Sequence, residues 1–397
     1  MSNSPARICI LGGGFGGLYT ALRLNQLPWS PQAAPQIILI DQQDRFLFAP
    51  FLYELISGEM QAWEVAPPFS ELLAGTAIRF LQAQVVGLNP EEKTIQLHQL
   101  PDLEYDQVVV ALGASQFYPA IAGLREHAYG FRTLADVDRL KERLKVLEQS
   151  AQDKIRVAIV GGGYSGVELA CKLGDRLGER GRLRIIERGD TLLATSPEYN
   201  RQTALQVLAD KGIWIDYNTE ITSLTSEAMT LAYQSQQDTL PVDLVLWTAG
   251  AGVSELIRSL PLPHTEKGRL ATTVHLQVEG QSSLYALGDV AEGRDASGQL
   301  VPSTAQAAYQ QADYCAWNIW ASLTGRPLLP YRYQALGEML ALGQEDATLT
   351  ALGCQLAGPL AAIARRLVYL YRFPTWNHQL TVGINWLAQP WLKAGGI

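Results

Sequence analysis

Apolar positions in this chain fall into short continuous runs, and glycine-rich turns follow the most regular of them. Arg7-Ile8-Cys9-Ile10-Leu11 and Arg156-Val157-Ala158-Ile159-Val160 are runs of the length and character of buried strands. Each leads directly into glycines, and a stretch with helical spacing comes next. The following apolar runs, Ile37-Ile38-Leu39-Ile40 and Arg184-Ile185-Ile186, end in acidic residues, Asp41 and Glu187. Strand, turn, helix and strand in that order predict an α/β fold built on two parallel-sheet units of the same design.

The two turns are Gly12-Gly13-Gly14-Phe15-Gly16-Gly17 and Gly161-Gly162-Gly163-Tyr164-Ser165-Gly166, and both fit G-x-G-x-x-G. The order has a physical reason. Backbone N–H groups at a helix N-terminus attract a pyrophosphate, and glycines let the backbone approach it without a Cβ. Asp41 and Glu187 stand 29 and 26 positions after the first glycines of their turns, where a carboxylate accepts hydrogen bonds from ribose hydroxyls. One such motif alone also fits a tight turn of an ordinary α/β protein. Two complete motifs predict two bound dinucleotides, held by Gly12, Gly14, Gly17 and Asp41 and by Gly161, Gly163, Gly166 and Glu187.

The duplication extends further. Asp106-Gln107-Val108-Val109-Val110-Ala111-Leu112-Gly113 and Asp243-Leu244-Val245-Leu246-Trp247-Thr248-Ala249-Gly250 repeat the same seven-residue step from Asp to Gly. At Gly113 and Gly250 the chain is expected to cross between domains beside a cofactor. Leu134 to Gln152 reads as a charged helix carrying the chain into the second domain, which is inserted into the first. Leu284-Tyr285-Ala286-Leu287-Gly288-Asp289 marks the return. The expected division is 1–125 with 270–330, then 126–269, then 331–397.

Composition narrows the chemistry. A net charge of −8 with no Lys/Arg run gives no basic surface for nucleic acid. Cys9, Cys171, Cys315 and Cys354 lie far apart, with no C-x-x-C, and the five histidines show no metal-ligand spacing. No metal is expected. The segment Met1 to Arg7 lacks an apolar signal run, so it gives no support for export, and no apolar run is long enough to span a bilayer.

The C-terminus is patterned differently. Leu356, Leu360, Ile363, Leu367 and Leu370 recur at helical steps, with Arg365 and Arg372 on the other side. After Pro374, Leu380, Ile384, Leu387 and Trp391 repeat the design. Together with Trp376 and Trp386 these read as two amphipathic helices lying on a membrane surface. The alternative is that both stripes pack on the protein's own core or at a homodimer interface.

With Gly166-Val-Glu-Leu-Ala170, Ala286-Leu-Gly-Asp289, Ala305-Gln-Ala-Ala-Tyr-Gln-Gln311 and the amphipathic tail, the chain resembles two-dinucleotide-binding-domain flavoproteins. Within them it is similar to the type II NAD(P)H:quinone dehydrogenases, over nearly its whole length. Cys171-Lys-Leu-Gly-Asp-Arg-Leu177 and Tyr164-Ser165, where many bacterial members carry Pro-Thr, resemble the cyanobacterial and plastid branch that reduces demethylphylloquinone. The resemblance implies a glutathione-reductase-like fold, with FAD in the first domain and NADH or NADPH as co-substrate in the second. It further implies a prenylated naphthoquinone as acceptor, and a peripheral site on the cytoplasmic side of a thylakoid or plasma membrane.

It also assigns roles to residues. Asp289 would close the flavin site, and Gln306 and Gln310, four apart on one helix face capped by Ser303 or Thr304, would bind quinone carbonyls. The rival reading is an Ala/Gln-rich structural helix. Glu168, placed in the first turn of its helix, would relay a proton, or would only complement the helix dipole. Phe48 to Glu54 would line a tunnel for flavin and quinone, or pack in the core. Glu187 favours NADH, whereas Arg182, Arg184 and Arg188 are near enough in sequence to accept the 2′-phosphate of NADPH.

Overall fold

The computed structural model describes residues 5–394, with side chains through residue 388. Trp391 therefore lies outside the described side chains, as do the first four residues of the amino-terminal segment. Two compact units share the chain. The first comprises Met1–Leu47, Ala66–Ser115 and Gly252–Gln334; the second comprises Phe48–Val65, Gln116–Ala251 and Ala335–Ile397.

The first unit is organised by a five-stranded parallel sheet in the order Leu284–Ala286, Gln107–Val110, Arg7–Leu11, Gln36–Asp41, Arg79–Gln82. Its central strands are apolar on both faces because both are covered, and Cys9, Leu11, Ile38, Ile40, Val108 and Val110 all join one buried cluster. The helix Phe15–Gln26 follows the first strand, and the long helix Ala305–Thr324 packs beside it. A small antiparallel sheet, Val85–Asn89, Thr94–Leu97 and Leu103–Glu104, completes the unit.

The second unit repeats the plan, with parallel strands ordered Trp214–Asp216, Gly181–Ile186, Ile155–Val160, Leu244–Trp247, Ala128–Tyr129. In both units the strand entering the glycines lies where the order reverses, and in open α/β sheets ligands bind at the carboxyl ends of such strands. The repeated aspartates do the same work twice. Asp106 accepts from Arg7 N–H and Asp243 from Arg156 N–H, each at 2.7 Å, fixing where the central strand begins.

The predicted charged helix spans Leu134–Gln149 and opens with a capping box between Thr133 and Asp136. Two antiparallel sheets accompany the second unit, 219–241 and 338–357. The tail forms two helices, Pro359–Tyr371 and Trp376–Ala394, and neither they nor any other helix among the described residues is long and apolar enough to cross a membrane.

Candidate dinucleotide and quinone sites

The first glycine turn has the geometry of a pyrophosphate cradle. Gly12 has φ +100°, a region side chains avoid, and a Cβ on Gly17 would lie 1.8 Å from the Gly12 carbonyl oxygen. Nothing would lie within 4 Å of a Cβ on Gly14, and no side chain caps the helix that starts beside it. A helix start without a side-chain cap is suited to an anion. Asp41 accepts from Gly13 N–H at 2.6 Å through one carboxylate oxygen and from Gln43 N–H at 2.8 Å through the other. An ionised carboxylate so placed has acceptor capacity suited to a ribose hydroxyl. Burial raises the Asp41 pKa, against the pull of those backbone donors.

The second turn is nearly superposable in its details. Gly161 has φ +108°, a Cβ on Gly166 would lie 1.8 Å from the Gly161 carbonyl oxygen, and the space at Gly163 is open. Glu187 accepts from Gly162 N–H and Gly189 N–H, both at 2.6 Å. The three arginines separate. Arg182 bonds backbone carbonyls at the start of its strand, about 15 Å of extended chain from Glu187, and Arg184 pairs with Asp216 at 3.4 Å. Arg188, with an exposed side chain and a loose 3.9 Å contact to Glu220, is the one beside Glu187. Gly113 and Gly250, at φ +67° and +76°, close the corresponding strands.

In the first unit Asp289 follows the buried strand Leu284–Ala286 in a single 3-10 turn and is half-buried. The turn is held by Gln311, whose side-chain oxygen accepts from Gly288 N–H at 2.8 Å. Gln311, which is not on the face shared by Gln306 and Gln310, is buried and is the glutamine that touches the Gly-Asp turn. Thr304 caps the Ala305–Thr324 helix through Ala307 N–H. Gln306 Oε1 accepts from Tyr333 Oη at 2.9 Å, and the Gln310 amide exchanges two bonds with the Gln334 backbone. Tyr333 and Gln334, which no motif flagged, thus hold both glutamines.

Glu168 lies one residue beyond the first turn of the Tyr164–Leu177 helix, whose first turn holds no acid, so the helix-dipole reading does not apply. It is buried, accepts from Ala341 N–H at 2.8 Å, and stands 3.9 Å from Arg365 Nη2. Burial pushes its pKa up to about 7, with Arg365 opposing the rise. Arg365 donates to Glu54 at 2.5 Å and to the Pro50 carbonyl at 2.6 Å. Burial acts to raise Glu54 as well, but Arg365 and then Lys172 outweigh it and hold that carboxyl below its ordinary value. Lys172 pairs closely with Glu59, which Arg366 also reaches at 2.7 Å.

The tail helices are turned inside out relative to a soluble helix. Leu360, Ile363 and Leu367 are 69, 56 and 59 % exposed, while Arg365 on the opposite side is 3 % exposed. In the last helix Trp376, Leu380, Ile384 and Leu387 are exposed as well. These exposed positions do not pack on the second unit's core; of the predicted stripe, Leu370 is half-buried and Leu356 falls in the strand Cys354–Ala357 instead of the helix. Trp386 departs from the anchor pattern: its Nε1 donates to Glu64 at 3.0 Å and its ring meets Phe51. Phe48 and Phe51 are buried against Tyr369 and Phe373, so the Phe48–Glu54 segment is core to the tail helices.

Two parallel-sheet units, each with a glycine turn fitted to a pyrophosphate and an acid fitted to a ribose, define a two-dinucleotide oxidoreductase. The chain belongs to the pyridine nucleotide-disulphide oxidoreductase family, whose profile it matches over residues 6–312. It is 61 % identical to demethylphylloquinone reductase NdbB of Synechocystis sp. (strain ATCC 27184 / PCC 6803 / Kazusa), over 99 % of each chain. It is 41 % identical to the alternative NAD(P)H-ubiquinone oxidoreductase C1, chloroplastic/mitochondrial, of Arabidopsis thaliana, over 98 % of this chain and 81 % of that one. The fold is that of NDH2 from Plasmodium falciparum in complex with NADH, with a TM-score of 0.87 at 18 % identity, covering 98 % and 99 % of the two chains.

Proposed function

We propose that this protein is an FAD-dependent NAD(P)H:quinone oxidoreductase that reduces a membrane prenylquinone of the demethylphylloquinone type. The observation that carries this is full-length 61 % identity to a demethylphylloquinone reductase, joined to two complete dinucleotide cradles. When bound, the flavin supplies two-electron redox chemistry between nicotinamide and quinone.

The chain's residues do the rest. Gly12, Gly14, Gly17, Asp41, Gly113 and Asp289 hold FAD; Gly161, Gly163, Gly166, Glu187 and Gly250 hold the nicotinamide dinucleotide, with Arg188 beside its ribose edge. Gln306 donates to a quinone carbonyl, and Gln310 braces the same helix. Reduction of a quinone to a quinol consumes two protons, and Glu168, poised near neutrality, is the group that holds and passes one. Residues 331–397 form the membrane-association region, whose exposed apolar stripes rest on the bilayer that carries the quinone.

Anaerobic stopped-flow tests the reading. Mixing with NADH or NADPH should bleach the flavin, and a demethylated naphthoquinone should restore its colour. Bleaching without recovery would remove quinone as the acceptor.

A further inference from the structure

We propose that Tyr333 is a positioning residue for quinone reduction: its phenol fixes the Gln306 amide so that the nitrogen is the end presented to a quinone carbonyl. The inference rests on the reading of Gln306 as a quinone ligand. A quinone carbonyl only accepts hydrogen bonds, and it gains negative charge as it is reduced. An amide presenting its oxygen would therefore repel the substrate, and one presenting its nitrogen stabilises the charge that develops.

One directed hydrogen bond sets the orientation. Ala307 N–H donates to Thr304 Oγ1 at 3.1 Å, which caps the helix carrying Gln306. The Tyr333 phenol sends its hydrogen to Gln306 Oε1 at 2.9 Å. An amide oxygen only accepts, so in this bond the phenol is the donor. Tyr333 is held at its backbone too, where N–H donates to the buried Asp295 carboxylate at 3.1 Å.

The next residue secures the other glutamine. Gln334 N–H donates to Gln310 Oε1 at 3.0 Å, and the Gln334 carbonyl accepts from Gln310 Nε2 at 2.8 Å. Both ends of that amide are committed to one backbone unit. Gln310 is the clamp that keeps the Tyr333 segment against the helix, and Gln306 is the amide whose polarity matters.

Tyr333→Phe keeps the ring and removes the hydroxyl. The KM for a short-chain naphthoquinone should rise about three- to tenfold, the worth of one oriented hydrogen bond. Flavin bleaching by NAD(P)H and steady-state reduction of ferricyanide, which has no carbonyl, should be unchanged. Gln306→Leu should raise the quinone KM in the parent and add less than twofold in the Tyr333→Phe background. A Tyr333→Phe enzyme with the parent's quinone KM, beside a Gln306→Leu enzyme with a raised one, would overturn the positioning role alone. An unchanged KM in Gln306→Leu would overturn the underlying reading of Gln306. Equal losses with quinone and ferricyanide would assign Tyr333 a purely structural part.

Discussion

Arg365 brings its Nη2 to 3.9 Å from Glu168 Oε1 while its Nη1 donates to Glu54 at 2.5 Å. One guanidinium from the tail helix therefore serves two buried carboxylates of unequal character, one held ionised and the other left near its titration point. Its planar fork also lies over the Phe51 and Tyr369 rings, at 5.4 and 5.0 Å from their centroids. The cation that seats the tail helix is thus also the charge that opposes the burial-driven rise in the proton affinity of Glu168.

Glu168 titrates at about 7, raised from the ordinary value of 4.5. Its proton is present below that pH and lost above it, so proton-limited quinone reduction should fall as pH rises through about 7. Glu168→Gln should flatten this limb in the kcat profile and lower kcat roughly 100-fold. A limb that persists in the variant would remove Glu168 from the proton path. Stability carries the same sign. A raised carboxyl favours the folded state below about pH 4.5 and loses that contribution as pH climbs toward 7, so Glu168→Gln should be relatively more stable at pH 8 than at pH 5 in urea titrations.

Arg365→Met leaves Glu54 buried without its closest cation. Breaking a buried pair by removing one partner costs about 3–5 kcal/mol, and denaturant unfolding should show a loss of that order. The same substitution removes the charge that opposes protonation of Glu168, so the pH limb of quinone reduction should move upward. A shift downward, or none, would mean that Arg365 does not act on Glu168.

The strand, glycine turn and acid of each unit could be read from the chain because the constraints are local: a positive φ at Gly12, a 1.8 Å approach at Gly17, an acid closing the next strand. The fold class and family followed from them. The tail was legible only in part. Helical spacing reveals that Leu360, Ile363 and Leu367 share a stripe, but the same spacing serves a stripe turned inward or outward. What decides is the pairing of Arg365 with Glu54, some 300 positions away, which no local pattern carries. Likewise the glutamine motif marks the helix, while the face in contact with the Gly-Asp turn, that of Gln311, depends on how the Ala305–Thr324 helix rolls against its neighbours.

The two glycine turns give a paired test. Gly166→Ala places a Cβ against the Gly161 carbonyl oxygen and should raise the KM for NAD(P)H at least tenfold while the purified protein keeps its flavin absorbance. Gly17→Ala makes the same clash with Gly12 and should yield colourless, destabilised protein. Flavin loss from both variants alike would mean that the turns do not serve separate nucleotides.

The outward stripe of the Pro359–Tyr371 helix leads to the last prediction. A soluble helix exposes its charges and buries its leucines; here Arg365 is buried and three branched apolar side chains stand in solvent, an arrangement that gains free energy on entering a bilayer interface. Each Leu or Ile moved from water is worth about 1.5 kcal/mol or more, roughly tenfold in partitioning. Changing Leu360, Ile363 and Leu367 together to Ser should therefore weaken co-sedimentation with liposomes at least 100-fold. Because these side chains are already exposed, the thermal stability and the turnover of a water-soluble short-chain quinone should be preserved. The net charge of −8 opposes an anionic surface, so binding of the parent should be carried by apolar contact and should not weaken as salt is raised. Unchanged liposome binding in the triple variant would mean that this face is covered by something other than lipid.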